Sequence, residues 1–249
     1  MANPARYFTN NVADCITLLG AMLERGVHRF VFSSTAAVYG EPMSVPIVEE
    51  SDLQPTNPYG ESKLMVEKIL GWYQRQLGLR YAALRYFNAA GATALLGEDH
   101  KTETHLIPLV LDVALGQRAK VNIYGTDWDT PDGTCVRDYI HVVDLARAHI
   151  LALRYLEKKP TLVCNLGNGN GYSVAEVIAT AQDVTERTIT AVPSARRSGD
   201  PAILVASADK AAQLLGWRPQ HSDLRTIIRT AWEWRLSHPR GYHRETGNT

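Results

Sequence analysis

His28-Arg29-Phe30-Val31-Phe32-Ser33-Ser34-Thr35 is the stretch that decides the fold. Phe30 to Phe32 are three consecutive large apolar residues with no polar alternation. That is the pattern of a strand buried on both faces, as in parallel sheets covered by helices. The flanks agree. Upstream, Val12, Ile16, Leu19 and Leu23 recur at helical spacing and predict a helix over 9–25 that stops at Gly26. Downstream, Pro58 opens a second helix at its first turn, over 58–77 and ending at Gly78. A second apolar strand is predicted over 81–86, with others over 121–124, 162–166 and 189–192. Helices are predicted over 106–115, 141–156, 173–183, 207–215 and 224–236, and a Gly/Asp-rich loop over 126–134. This alternation predicts an α/β fold with parallel strands.

Composition narrows the function. The chain has 249 residues, 45% of them apolar, enough for a large core. Lys+Arg and Asp+Glu both number 26, so the net charge is zero, which argues against nucleic acid or an anionic membrane as the main partner. No apolar run reaches the ~18 residues of a membrane span, and no signal pattern opens the chain. Three cysteines, Cys15, Cys135 and Cys164, are odd in number and lack metal-ligand spacing. A reduced, cytoplasmic protein without a metal centre is expected. There are no internal repeats.

Tyr59 and Lys63 stand four apart on the 58–77 helix, so they share one face. A phenol with pKa near ~10 is about one part in a thousand ionised at neutral pH; lowering it by ~3–4 units takes roughly 4–5 kcal/mol. A nearby lysine, helped by a second cation, supplies that and makes the tyrosine a general base for a hydroxyl. The motif alone does not decide, because Tyr155 and Lys159 repeat it at a charged helix end that reads as solvated. Context favours the first pair. Ser33, Ser34 and Thr35 end an apolar strand, where the ligand crevice of a parallel sheet lies. Thr35 could hydrogen-bond the hydroxyl that Tyr59 deprotonates; the alternative is that these hydroxyls cap the following turn.

Further markers complete a pattern: Asn10-Asn11-Val12, Ala36-Ala37-Val38-Tyr39-Gly40 directly after Thr35, and Asn57-Pro58-Tyr59-Gly60-Glu61-Ser62-Lys63. Leu84-Arg85-Tyr86-Phe87-Asn88, Asp132-Gly133-Thr134, Val136-Arg137-Asp138-Tyr139-Ile140-His141-Val142 and Arg196-Arg197-Ser198-Gly199-Asp200-Pro201 continue it. Nearly the whole chain, from Tyr7 to Gly241-Tyr242, resembles the extended short-chain dehydrogenase/reductases, and among them the 4-epimerases of UDP-glucose and UDP-galactose. The resemblance implies a C4 inversion through a transient 4-keto sugar with tightly bound NAD, as part of galactose metabolism. Tyr59 would be the base, Lys63 would lower its pKa and bind the nicotinamide ribose, and Thr35 would orient the 4-hydroxyl. Asn10, Ser33 and Phe87 would contact NAD. Asn88, the backbone at Leu106, Arg137, Arg197 and Asp200 would hold the uridine diphosphate and its sugar. Guanidinium forks suit phosphate oxygens; the alternative for Arg137–Asp138 and Arg197–Asp200 is surface ion pairing. Related 4,6-dehydratases follow the threonine with an Asp-Glu pair, but Ala36 and Ala37 stand here and cannot shuttle protons. A family position thought to limit sugar size falls near Leu204, and the family's pairing implies a homodimer through helices 9–25 and 58–77.

The pattern also departs from the family. The resemblance implies two βαβ units of about 30 or more residues each ahead of Tyr7, with a Gly-rich pyrophosphate turn. Residues 1–6 stand there instead. Gly167-Asn168-Gly169-Asn170-Gly171 lacks the G-x-G-x-x-G spacing and reads as a loop. The expectation is a partial Rossmann-type doubly wound parallel sheet with its N-terminal strands missing, plus a smaller C-terminal substrate-binding region. Residues 1–88 would be the NAD-binding remnant and 89–249 mainly the UDP-sugar region, with strand 162–166 returning to the first sheet. Strand 30–32 would then show an open apolar edge. The alternative function is a truncated, catalytically silent fragment retaining at most nucleotide-sugar or protein binding; the chain alone is expected to be inactive.

Overall fold

Successive side chains of a strand point to opposite faces, and β2 (Arg80–Tyr86) uses both for core. Ala83 joins Phe32, Leu19, Val66 and Leu70 on one face. Ala82 and Leu84 join Leu145, Ala148, Leu162 and Trp217 on the other. The small alanines let helices approach closely. The structure, a computed structural model, describes residues 3–197 and 199–242. Ser198 of the 196–201 motif, and the chain ends included in the expected domains, lie outside them.

The central strand β2 pairs in parallel with β1 (Arg29–Thr35) on one side and β6 (Thr161–Leu166) on the other. Residues from α2 (Asp14–Glu24) and α3 (Pro58–Leu77) cover one face. Residues from α5 (Val142–Tyr155) and α7 (Asp209–Leu215) cover the other. This is the expected α/β arrangement with parallel strands. The outer edge of β1 carries no partner strand among the described residues.

The ends of α3 follow its sequence. Asn57 accepts from the Gly60 amide, Pro58 fills the first turn, and Gly78 closes the helix at φ 68°. The first helix departs from expectation. It begins as α1 (Pro4–Tyr7), winds as a π turn through Phe8–Ala13, and continues as α2. A wider turn shifts the phase of the apolar stripe, so Val12 and Leu19 are buried while Ile16 is 42% exposed.

At Phe87 the chain leaves β2 and enters a second sheet, β3 (Asn88–Ala90), β5 (Val136–His141) and β7 (Gly171–Ser173), with β9 (Ile203–Leu204) against β5. A third pairing joins β4 (Val121–Tyr124) to β8 (Ala191–Ser194). Helices α4 (Leu106–Ala114), α6 (Val174–Thr185) and α8 (Leu224–Ser237) pack here around Val110, Leu111, Val177, Ile227 and Ile228. The 167–171 stretch is a loop followed by the start of β7, and it does hold an anion, but an internal one. Asp138 is fully buried and accepts from the Asn168, Gly169 and Ala206 amides. Burial outweighs those amides and raises its pKa to about 6.

One ion pair fastens α3 to the first sheet. Arg85 on β2 grips Glu67 through Nη2 at 2.6 Å and Nε at 3.0 Å, both side chains being buried. Ser34 donates to the same carboxylate and Arg85 donates to the Tyr39 hydroxyl at 3.0 Å. Burial opposes the Arg85 charge, but the Glu67 bonds overcome it and raise its pKa. Removing one partner leaves an uncompensated buried charge, which costs about 3–5 kcal/mol. Glu67→Ala and Arg85→Ala should each lose that much stability in urea denaturation. A loss under about 1 kcal/mol would show the pair to be solvated.

Candidate active site

The C-terminal end of β1 and the first turn of α3 bring Thr35 beside Tyr59. Thr35 is 9% exposed; its oxygen accepts from the Ala37 amide at 3.2 Å, and it lines one cavity together with Tyr59, whose phenol it favours in the ionised form. Thr35 therefore caps the following turn, the second of the two alternatives read from the sequence, while also facing the cavity in which the first would place a substrate hydroxyl. Tyr7 stacks edge-on against Tyr59 at 6.1 Å between ring centroids. One turn along α3, the Lys63 ammonium donates to the Ser33 carbonyl at 3.0 Å and lies 5.7 Å from the Tyr59 ring centroid. Burial raises the Tyr59 pKa, offset in part by the Thr35 hydrogen bond, and burial lowers that of Lys63. Low dielectric thus opposes both charges. The lysine by itself leaves the phenol neutral at neutral pH, so the second cation that the chemistry calls for remains necessary.

A cavity of about 580 Å³ opens in front of this pair, lined by Thr35, Tyr59, Phe87, Asn88 and His100 among others. A second, of about 300 Å³, shares Asn88, Ala89, Ala90 and His105 with it. The two form one groove. The second chamber is lined by Leu106, Arg118, Arg137, Arg197 and Asp200. Three guanidiniums against one carboxylate suit an anionic ligand, and the N-terminal turn of α4 adds oriented amides. Neither surface ion pair weighed above forms among the described residues. Asp138 faces backbone amides, Arg137 donates to the Val136 and Ala202 carbonyls, and Arg197 stacks on Tyr124 at 3.8 Å. A smaller cavity of about 180 Å³ joins Thr35, Ala36, Ala37, Asn88, Arg137 and Leu204, so Leu204 borders the same groove.

The predicted residues therefore fall into three groups. Thr35, Tyr59, Phe87 and Asn88 meet at one chamber, and Asn88, Leu106, Arg137, Arg197 and Asp200 at the other. Ser33 and Lys63 line neither chamber; the Ser33 hydroxyl faces His149 Nε2 at 3.3 Å. Asn10 is exposed on the π turn, and among the described residues its side chain bonds its neighbour Asn11, which itself donates to Ser62 at 2.9 Å. Tyr124 and Arg118 were missed. The Arg197 guanidinium against the Tyr124 ring lowers the Tyr124 pKa. The signal is the parallel register Tyr124↔Ser194, which sets Tyr124 three residues from Arg197, and a sequence carries no mark of that pairing.

Three comparisons bear on this geometry. The NAD dependent epimerase/dehydratase family matches residues 1–167. The chain is 54% identical to the UDP-glucose 4-epimerase of Halalkalibacterium halodurans, over 97% of this chain and 73% of that protein. It is 51% identical to that of Lacticaseibacillus casei, over 97% and 74%. Among solved structures, a UDP-glucose 4-epimerase superposes with a TM-score of 0.93 at 52% identity, over 97% of this chain and 74% of the other. The Bifidobacterium longum UDP-glucose 4-epimerase, in complex with NAD+ and UDP, gives 0.91 at 41% identity, over 96% and 72%.

Lys63 is a half-buried cation with no carboxylate partner among the described residues. Such a charge is a cost to the fold that a ligand would offset. Lys63→Met should therefore leave the melting temperature unchanged or raise it, by the equivalent of up to about 1 kcal/mol. A clear drop in scanning calorimetry would make Lys63 a structural residue instead.

Proposed function

The chain belongs to the NAD dependent epimerase/dehydratase family, and we propose that it inverts C4 of the hexose in UDP-glucose and UDP-galactose at this groove. The observation that carries the reading is a tyrosine and a threonine side by side at one end of a groove whose other end holds three arginines. The comparisons give no support to a catalytically silent fragment.

The residues present fit the nicotinamide end of NAD. Lys63 is a donor without a carboxylate, as a ribose diol requires, and Phe87 is an apolar wall beside Tyr59. When bound, NAD supplies the hydride acceptor and donor, together with a positive ring. Tyr59, as phenolate, takes the proton of the sugar 4-hydroxyl, which Thr35 holds by hydrogen bonding. The sugar becomes the 4-keto form. Arg137 and Arg197 retain the diphosphate while the hexose turns about the phosphate linkage, so that the opposite face of C4 would meet the returning hydride, and the Tyr59 phenol gives its proton back to the 4-oxygen. The roomier chamber lies at the hexose end, where turning is needed, and the tighter one at the diphosphate, where it is not.

Residues 1–88 with β6 form the cofactor side in this reading, and most of 89–249 forms the sugar-nucleotide side. β6 supports that division by pairing with β2. Exposed Leu18 on α2 and Trp72 on α3 support pairing of two copies through those helices. Among the described residues no helix is long and apolar enough to cross a membrane, and with three free cysteines we place the chain in the cytoplasm.

Tyr59→Phe should lower kcat for UDP-galactose by about 10²–10⁴-fold, the contribution of a positioned general base, with KM little changed. Arg197→Met should do the reverse, raising KM more than it lowers kcat. An enzyme-coupled UDP-glucose assay reads both. Unchanged turnover in Tyr59→Phe would remove the proposed base.

A further inference from the structure

Outside the catalytic pair, the segment between β3 and α4, residues 91–105, runs without helix or strand along the edge of the larger cavity. Irregular segments of this length in compact domains are held by something other than backbone ladders. Two Glu-x-His steps lie within it, Glu98-Asp99-His100 and Glu103-Thr104-His105. One ligand atom from each of Glu98, His100, Glu103 and His105 falls within 4.8 Å of the others.

We propose that these four side chains bind one divalent transition-metal ion, zinc by the donor set, which clips the segment into the wall of the cavity. Zinc takes four ligands tetrahedrally at about 2.0–2.2 Å from nitrogen or oxygen, which sets neighbouring ligand atoms ~3.3 Å apart. The carboxylate–imidazole distances bracket that value. Glu98 Oε1 lies 3.0 Å from His100 Nδ1 and 2.7 Å from His105 Nδ1, and Glu103 lies 3.5 Å from His100 Nδ1 and 2.9 Å from His105 Nδ1. Two carboxylates and two neutral imidazoles carry a charge of −2, which a dication neutralises.

The surroundings favour a cation in the same way. Among the described residues neither carboxylate pairs with a lysine or arginine; the histidines are their only ionic partners. Both imidazoles present the same nitrogen, Nδ1, to a single oxygen of Glu98. The Thr104 and His105 amides donate to Oε1 of Glu103 at 2.6 and 2.7 Å and fix its carboxylate, the hydrogen-bonded support expected around a ligating group, while Oε2 faces His100. With His100 and His105 about half exposed, an ion has a path in. Magnesium and calcium demand an all-oxygen shell, so the imidazoles select against them.

The test uses the full, untagged chain stripped with a chelator. ZnCl₂ titrated into it in a calorimeter should bind at one ion per chain and raise the melting temperature, and MgCl₂ should do neither. Cobalt(II) should give the intense visible bands of a four-coordinate site. Losing an outer-shell partner already costs about 10–100-fold in metal affinity, so His100→Ala with His105→Ala should cost no less. Glu98→Gln, a smaller change on the surface, should weaken binding while far-UV circular dichroism stays that of the parent. Absence of stoichiometric zinc, or zinc binding that both variants leave untouched, would overturn the proposal and make the cluster a set of carboxylate–imidazolium pairs.

Discussion

Tyr59, Lys63 and Glu67 lie four residues apart on α3, a single stripe of one helix. The interaction between Glu67 and Arg85 anchors the last of them to β2, and Ser34 anchors it to β1. That anchoring fixes where the first two can be. Glu67 allows α3 little freedom to slide or roll against the sheet, so Lys63 meets the Ser33 carbonyl and Tyr59 meets Thr35 one and two turns away. The network extends through Tyr39 and Asn165 to β6, with Tyr39 donating to Asn165 at 2.7 Å. A buried pair of this kind adds little net stability over an apolar packing of equal volume. Its effect here is register: three strands and one helix share a set of hydrogen bonds that only one alignment satisfies.

How much of this is legible in the sequence depends on whether a signal is local. β1, β2 and β6 are short apolar runs, and α3 has Asn57, Pro58 and Gly78 as its punctuation, so their positions can be read directly. β5 mixes polar and apolar residues without alternation, Arg137 and Asp138 being adjacent, yet its last four residues are all buried, because it sits inside a mixed sheet between β3, β7 and β9. No periodicity marks that. β3, β7 and β9 are two or three residues long and exist only through their pairing. The π turn at Phe8–Ala13 is invisible for a different reason: it keeps helical composition and changes only the phase.

The same distinction separates the site residues. Tyr59 and Lys63 carry their own spacing, and Thr35 ends a visible strand. The partnership of Arg197 with Tyr124 depends on β4 meeting β8, a contact between segments seventy residues apart. The Glu98–His105 cluster was written in the sequence, but a search keyed to cysteine spacing passes over a set made of carboxylates and imidazoles.

The two chambers divide the electrostatic labour. At the arginine end, exposed or half-exposed guanidiniums would meet, in the proposed reading, a ligand that brings its own negative charge, so little of the attraction would be lost to desolvation. At the tyrosine end, burial works against every charge, raising the phenol and lowering the ammonium. A neutral phenol beside Thr35 is the resting arrangement that this environment favours. The phenolate becomes favourable only when a further positive charge enters beside it. In the proposed reading, proton removal would then be coupled to occupancy of the cofactor side, because the burial that disfavours an isolated phenolate also strengthens its attraction to any cation placed within a few ångströms. In the proposed reading the base would therefore be withheld from an incomplete site, and Ala36 and Ala37, carrying no protons to exchange, would leave it without a competitor.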